Sequence, residues 1–501
     1  MRIFILLTCI VVVKVSAIAQ QTETKQNNRI ILLADMGNEP DEEQQITHLM
    51  VYSNEFDIKG LIAVTGKFLN PQSGDPYKQV VHPELITGII NGYSRVIDNL
   101  RKHADGWPEP DYLHSIVASG QPEYGVKGVG PGKSSSGSEL IIENLLDEDP
   151  RPLYIVVNAG SNTLAQALID IRDRYDNQVL ETAISKLRVF ENGAQDDAGA
   201  WICSEFPDIE WVRSNYQTYC YGGPSFDSSK GWEDYGKNLG PYTWEPYEYS
   251  GVGQHQWVLI NVQGDHGPFG KFYPIRYRGN GDIVYLEGGG TIPWMGLIHK
   301  GLSDINHPEW GGWSGRFTAN KQSNVWSKHN SVKTDEKKYG EFKVYTEAAD
   351  KWINPENDSV HYNVYTPVWR WRRAMFNDLK CRMDWCMAAY TEANHNPVIS
   401  INGDSSEKIH FFQSGAGDEV IIDTSESTDP EGDNLNFNWF IYNEAGSYPK
   451  EIQLENGNSP RLNFRIPNDA SGSTIHIILE VKDNNEIASM YDYRRIVLNV
   501  E

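Results

Sequence analysis

Basic side chains are the first shortage. Lys and Arg together number 44 against 68 Asp and Glu, a formal net charge of -24 over 501 residues. Such an imbalance argues against a nucleic-acid backbone as partner. It also means that an anionic substrate needs a local basic pocket. Cysteine is scarce as well, with five residues in the whole chain. Cys9 falls inside a leading apolar run, which leaves Cys203, Cys220, Cys381 and Cys386, none with the spacing of a metal site. In an oxidising compartment the economical disulfide pairs are Cys203–Cys220 and Cys381–Cys386, although sequence alone does not set connectivity and a helix strains the second pair. Beyond residue 19 no apolar run is long enough to cross a membrane. A phosphate loop is missing too: GVGPGKS, 128–134, lacks the first glycine at the required spacing and follows no clear strand.

The start of the chain has the pattern of a secretory signal. Arg2 supplies a basic end, Ile3 to Val13 the apolar stretch, and Ala17-Ile18-Ala19 a small-residue cleavage site. Residues 1–19 are therefore expected to be removed on export to the periplasm or the outside, and the polar lead 20–28 to be disordered. The length predicts two or three domains. Aromatic residues make up 11% of the chain, with 15 Trp and 26 Tyr, a stock of faces that stack on sugar rings.

The stretch that organises the rest is RIILLADMGNEPDEEQQ, 29–45. Its apolar run, Ile30 to Leu33, predicts a strand buried on both faces of a parallel sheet. Asp35 ends the run. A Gly- and Pro-containing turn follows, then Asp41, Glu42 and Glu43, then a helix over 44–52. Carboxylates at the carboxyl end of a strand, facing a helix start, sit where open α/β sheets bind ligands. Crowded acids need a cation or a shared proton, and calcium suits all-oxygen ligands. The alternative is a solvated acidic turn.

The pattern repeats along the chain. Buried strands are expected at 58–64, 152–157 and 187–190, with helices over 82–102, 138–146 and the turn-helix 158–168. Asn162 sits at that helix start, where free N–H groups face a ligand. Asp196 and Asp197 follow the strand that ends near residue 190. This alternation predicts a doubly wound α/β domain over 29–395. Its second half is loop-rich, with little periodicity over 211–253, a short strand over 257–262 ending in QGDHGPFG, and the stretches LEGGGTIPW and HPEWGGWSGRF. Residues 367–390 read as the longest clear helix, with Arg370 and Arg373 on one face. From residue 396 the pattern changes to short alternating strands, which predicts an all-β Ig-like sandwich over 396–501. Asp429, Glu431 and Asp433 in one of its turns fit a calcium site or, more simply, a hydrated turn.

Taken together, DMGNEPDEEQ, YSNEFDIKGLIAVT, SGQPEYG, NTLAQAL, HPEWGGWSGR, VWRWR, NDLKCRMDW and EANHNPV resemble the secreted nucleoside-hydrolase-like family once labelled cellulose-binding, with an Ig-like or cadherin-like C-terminal domain. The resemblance implies a nucleoside-hydrolase-like α/β fold and breakdown of wall polysaccharides. Nucleoside hydrolases hold calcium with an Asp-rich loop, so it also implies a possible calcium on Asp35, Asp41 and Glu42. Here the later acids lie two residues farther from Asp35, and Gly288-Gly289-Gly290-Thr291 stands where relatives carry Gly-Asp-Thr.

The same resemblance points to dehydratases that act on the uronic-acid ends of ulvan-type oligosaccharides. Removing water from such an end takes a base at carbon 5, an acid at the carbon 4 hydroxyl, and positive charge at the carboxylate. His266 is the leading base or acid, with Asp35, Tyr124 and His307 as further proton-transfer candidates. Asp265 fits a hydroxyl. Arg316, Arg370, Arg372 and Arg373 suit a uronate or sulfate, and Trp310 and Trp313 a sugar ring. Each has a structural alternative in a turn, a surface ion pair or the core. Three activities follow in order: a dehydratase (a carbon–oxygen lyase) on anionic oligosaccharides, a cation-dependent glycoside or N-glycoside hydrolase, and a non-catalytic carbohydrate-binding protein.

Overall fold

The structure, a computed structural model, describes residues 26–221, 257–275, 289–298, 300–322, 342–355 and 360–501, together with Gly223–Pro224, Tyr285–Leu286, Tyr339 and Asp358. The expected signal segment and residues 20–25 of the lead lie outside the described residues. Of the rest of the lead, residue 28 belongs to the first strand. Asn28 already pairs with Phe56 in the sheet, and its side chain donates to Leu297 O at 2.8 Å.

The run Ile30 to Leu33 forms β1 (Asn28–Ala34). All four side chains are fully buried, each contributing roughly 1.5–3 kcal/mol. Strand periodicity splits them between two layers: Ile30, Leu32 and Ala34 face one core, Ile31 and Leu33 the other. The chain then alternates through α1 (Asp41–Met50), β2 (Phe56–Ala63), α2 (Pro83–Tyr93), β3 (Val117–Ser119), α3 (Ser136–Leu146), β4 (Leu153–Val157), α4 (Ser161–Arg174), α5 (Asn177–Lys186), β5 (Leu187–Asn192), α6 (Ala198–Glu205) and β6 (Glu210–Ser214). With β7 (Phe317–Gln322) and β8 (Phe342–Glu347) these strands build an 8-stranded sheet of order β3-β2-β1-β4-β5-β6-β8-β7. Every pairing in it is parallel except β7 with β8. The order reverses between β1 and β4. At such a switch point the connections leave in opposite directions and open a crevice at the strands' carboxyl ends.

The doubly wound α/β expectation therefore holds, with local corrections. Glu210–Ser214, at the head of a stretch without readable periodicity, is a sheet strand with Trp211 fully buried. Residues 257–262 are helical rather than a strand, running into a π-turn at Leu259–Gln263. Trp257, Val258, Asn261 and Val262 are the buried positions, which is helix spacing, and Asn261 Nδ2 bonds back to Trp257 O at 3.0 Å. The expected long helix over 367–390 breaks at Arg370–Trp371 into Thr366–Trp369 and α7 (Arg372–Asp384), where both aromatic and guanidinium groups turn toward the C-terminal region. No disulfide forms between Cys203 and Cys220 or between Cys381 and Cys386. All four are free thiols, buried in apolar surroundings, which pushes each one's pKa up.

The C-terminal region is all-β. Strands β9 (His410–Ser414), β10 (Glu419–Asp423), β11 (Asn436–Ile441), β12 (Arg461–Arg465), β13 (Thr474–Lys482) and β14 (Tyr491–Val500) form a 4-stranded sheet, β9-β14-β13-β11, and a 2-stranded sheet of β10 and β12. Alternating side chains such as Ile422, Leu462, Ile475, Ile477 and Leu498 fill the space between the two sheets. The outer face of the larger sheet is not solvated. Tyr442, Ile478 and Tyr493 belong to the core around α7, so the two regions share a hydrophobic interface. Arg495, buried within it, donates to the carbonyls of Leu302, Trp310 and Gly311.

Among the described residues no helix is long and apolar enough to cross a membrane.

Candidate active site

At the switch point the residues that end β1, β4 and β5 meet the first turns of α1. Asp35 follows β1 directly. Its turn is closed by Asn38, whose backbone N–H bonds Asp35 O at 3.0 Å and whose Nδ2 donates to Asp35 Oδ2, also at 3.0 Å. Gly66 packs so close that a Cβ there would sit 2.5 Å from Asp35 Oδ2. That close approach is why the residue carries no side chain. Asp35 is 1% exposed. Burial, with Glu39 adding repulsion, raises its pKa to about 7, against the lowering effect of its hydrogen bonds and Lys78.

Glu42 projects from the first turn of α1 into the same crevice and is 4% exposed. Burial first, then Asp35 and Asp41, push its pKa well above the ordinary carboxylate range. The helix start would favour negative charge, but desolvation outweighs it. Asp35 and Glu42 thus behave as a linked pair that holds a proton near neutrality. Asp41 stays at the half-buried edge of the same turn.

Side-chain amides surround the pair. Gln45, one helical turn on, donates to Glu42 Oε2 at 2.5 Å, and Asn158, at the end of β4, reaches the same oxygen at 3.5 Å. Gln195 donates to Asn158 O at 3.2 Å, and Asn192 closes the end of β5 against Gly289. A Cβ on Gly290 would lie 2.6 Å from Gln45 Cδ and 2.8 Å from Asn158 Nδ2, so this glycine pair packs on the amides by backbone contact alone. The amide oxygens of Gln45, Asn158, Asn192 and Gln195 are buried without a hydrogen-bond partner. They are acceptors awaiting donors, and hydroxyl groups supply donors.

The outer wall comes from the ends of the 121–126 and 195–198 segments. Tyr124 donates its hydroxyl to Gln195 O at 2.6 Å. Asn162 Nδ2 holds Glu123 O at 2.8 Å and Gly125 O at 3.3 Å. Asp197 accepts from Val126 N at 2.8 Å. Asp196 accepts from the Ser161 hydroxyl, from Asn162 N at 3.1 Å and from Ala198 N at 3.0 Å. It therefore caps α4 and α6 from outside, and burial raises its pKa to about 6.

Of the residues singled out from sequence, Asp35, Glu42, Asp41, Tyr124, Asn162, Asp196 and Asp197 share this neighbourhood. The others do not. His266 bonds Asp384 at 2.9 Å, close after Arg382, whose guanidinium reaches Val51 O just beyond the far end of α1. Neighbouring Asp265 is exposed, with a left-handed backbone of φ +57°. His307 stacks on Trp310 at 4.0 Å, and Trp310 packs on His476 of β13. Trp313 meets Tyr493 of β14. Arg316 and Arg370 converge on Asp350, at 2.7 and 3.7 Å, together with the Tyr442 hydroxyl. Arg372 is buried, which lowers its pKa to about 9, and Arg373 is half-buried on the same helix. Trp310, Trp313 and the Arg316–Asp350–Arg370 cluster join the two regions of the chain. Gln45, Asn158, Asn192 and Gln195 are members that sequence reasoning missed. Their signal was there for two of them, since Asn158 and Asn192 each stand at the carboxyl end of a buried run.

Calcium held in the nucleoside-hydrolase manner needs several carboxylate and carbonyl oxygens on one point. Among the described residues no three His, Cys, Asp or Glu side chains converge that way. Asp35 and Glu42 would be the two carboxylates of such a site, and the unpartnered amide oxygens of Gln45, Asn158, Asn192 and Gln195 are neutral oxygen donors of the kind calcium also takes.

Comparison with known proteins places this geometry in context. Residues 29–317 match the family described as "Cellulose-binding Sde182, nucleoside hydrolase-like domain". Residues 419–500 match "Cellulose-binding protein Sde0182, C-terminal domain". A solved structure of a nucleoside hydrolase-related hypothetical protein from Saccharophagus degradans, described as associated with carbohydrate metabolism, is 33% identical. That match covers 95% of this chain and 100% of the other, with a TM-score of 0.77. No curated protein matches the chain.

Proposed function

The chain belongs to the Sde182 nucleoside-hydrolase-like family, and from that premise we propose that it is an exported carbohydrate-active enzyme whose acid–base pair is Asp35 and Glu42. The reaction is water elimination from the uronic-acid end of an acidic oligosaccharide, giving an unsaturated uronate. The observation that carries this reading is the buried pair itself, with both pKa values raised at the sheet's switch point.

Elimination needs two proton transfers and no external nucleophile. The ionised member of the pair removes the proton on carbon 5. The protonated member gives its proton to the hydroxyl leaving carbon 4. The carbon 5–hydrogen and carbon 4–oxygen bonds break, a carbon 4–carbon 5 double bond forms, and one water departs. The pair ends with the same number of protons, exchanged between its members. Asp35 is assigned as base and Glu42 as acid. A carboxyl whose pKa lies near the working pH is efficient in either role. The unpartnered amide oxygens of Gln45, Asn158, Asn192 and Gln195 accept from ring hydroxyls and orient the sugar.

The nucleoside-hydrolase fold favours a second reading, hydrolysis of a glycosidic bond by the same pair. Product masses separate the two. Incubation with uronate-ended oligosaccharides is expected to give loss of one water, absorbance from the new double bond and unchanged chain length. Cleavage with gain of one water would establish the hydrolase instead. Affinity without any turnover would leave a carbohydrate-binding protein.

A further inference from the structure

The elimination just proposed places a carboxylate in a crevice already crowded with acids, so a fixed positive charge has to meet it. Several buried basic side chains are spent elsewhere. Arg316 and Arg370 are committed to Asp350, Arg382 and Lys300 to Asp378, Arg494 to Asp492 and Arg213 to Glu191. Lys78 is placed differently. It sits in the short turn Pro76–Gln79, and its ammonium donates to Asn38 O at 2.5 Å and Asn38 Oδ1 at 3.1 Å. Asn38 in turn holds Asp35 at 3.0 Å. Both fixed acceptors of Lys78 are neutral. An ammonium has three donors, and no carboxylate among the described residues forms an ion pair with this one.

The same connection carries two exposed aromatic rings. Tyr77, 50% exposed, stacks on His82 at 3.9 Å, which holds the ring in place. His82 is braced by Glu84 at 2.6 Å and Tyr77 O at 2.7 Å. Phe68 is 55% exposed, two residues past the Gly66 that touches Asp35. We infer that Lys78 is the residue that recognises the carboxylate of an acidic sugar, whose ring lies against Tyr77 and whose reacting edge meets Asp35 and Glu42. Asp35, Glu39 and Glu42 would otherwise repel a second anion, so Lys78 decides whether an acidic or a neutral sugar end is accepted. This inference rests on the proposed elimination.

The test uses the mature chain and two ligands: a glucuronate-ended oligosaccharide and the same molecule with its carboxyl reduced to an alcohol. Calorimetric titration of the wild type is expected to favour the acidic ligand. Lys78→Gln should weaken the acidic ligand about tenfold or more, the range for a hydrogen bond to a charged group, and leave the reduced ligand unchanged. Thermal unfolding should shift only slightly, because the Gln amide can still donate to Asn38. As a second measurement, the wild-type preference should shrink with added salt, because the lysine is only half-buried. An acidic preference that survives both Lys78→Gln and salt overturns the assignment while leaving the elimination intact. A wild type that neither binds nor converts the uronate-ended ligand overturns the elimination, and the assignment falls with it.

Discussion

Replacing Asp35 by Asn separates the cost of this site from its use. The carboxyl is 1% exposed, and its pKa moves from 3.8 to about 7 on folding. A raised acid pKa means that the folded state binds the proton more tightly than the unfolded chain. Below pH 3.8 both states are protonated and the group contributes nothing to the difference. As pH rises toward about 7 the unfolded chain loses its proton first, so stability falls; above that both states are ionised and the loss is complete. At about 1.4 kcal/mol per pH unit, the three-unit gap sets a ceiling of about 4 kcal/mol. An Asn side chain keeps the size and the contact with Asn38 without the charge. Asp35→Asn should therefore be more stable than wild type at pH 8, by up to about 4 kcal/mol, with the gain fading as pH falls toward 4. Urea unfolding at several pH values, in the presence of a chelator so that adventitious metal is not counted, measures it. Turnover should be lost in the same variant. A variant less stable than wild type at pH 8, or a difference independent of pH, would refute the view that Asp35 is held at a cost in charge burial.

Glu42→Gln removes the acid and keeps the bond network with Gln45 and Asn158. Turnover should drop by a factor of about 100 or more, with ligand affinity retained by calorimetry. Gly66→Ala puts a methyl 2.5 Å from Asp35 Oδ2. It should lower kcat and cost roughly 1–3 kcal/mol of stability by overpacking, read from the same urea curves. His266→Ala should leave turnover close to wild type, because His266 is engaged with Asp384 rather than with the acid pair; a large loss would reinstate it as a catalytic candidate. Asp350→Asn strips the buried partner of Arg316 and Arg370. Leaving buried charge uncompensated should cost roughly 3–5 kcal/mol and lower the unfolding temperature.

The acid pair was readable because its members are near one another in the chain. A buried apolar run, a strand-end Asp and a helix opening in acids are local patterns, and local patterns follow from period and capping alone. The same holds for β4 and α4, where Leu153–Val157 runs into Ser161–Arg174, and for the change to alternating strands past residue 396. The rest of the crevice is assembled from distant segments. Asn158, Asn192, Gln195 and the Gly289–Gly290 pair meet only because β1, β4 and β5 are adjacent in the sheet. His266, Trp310, Trp313 and Arg370 have the residue types of a sugar site. The packing of α7 and the C-terminal sheet sends them elsewhere.

What the sequence by itself determined was the strand–helix alternation of the first region, the change to an all-β second region and the acids at the mouth of the first strand. These depend on hydrophobic period and on neighbours a few residues apart. Tertiary structure alone decided which polar groups share a cavity, which arginines are already paired and how far burial moves each proton. Those properties depend on distance and solvent exclusion, and chain separation carries no information about either.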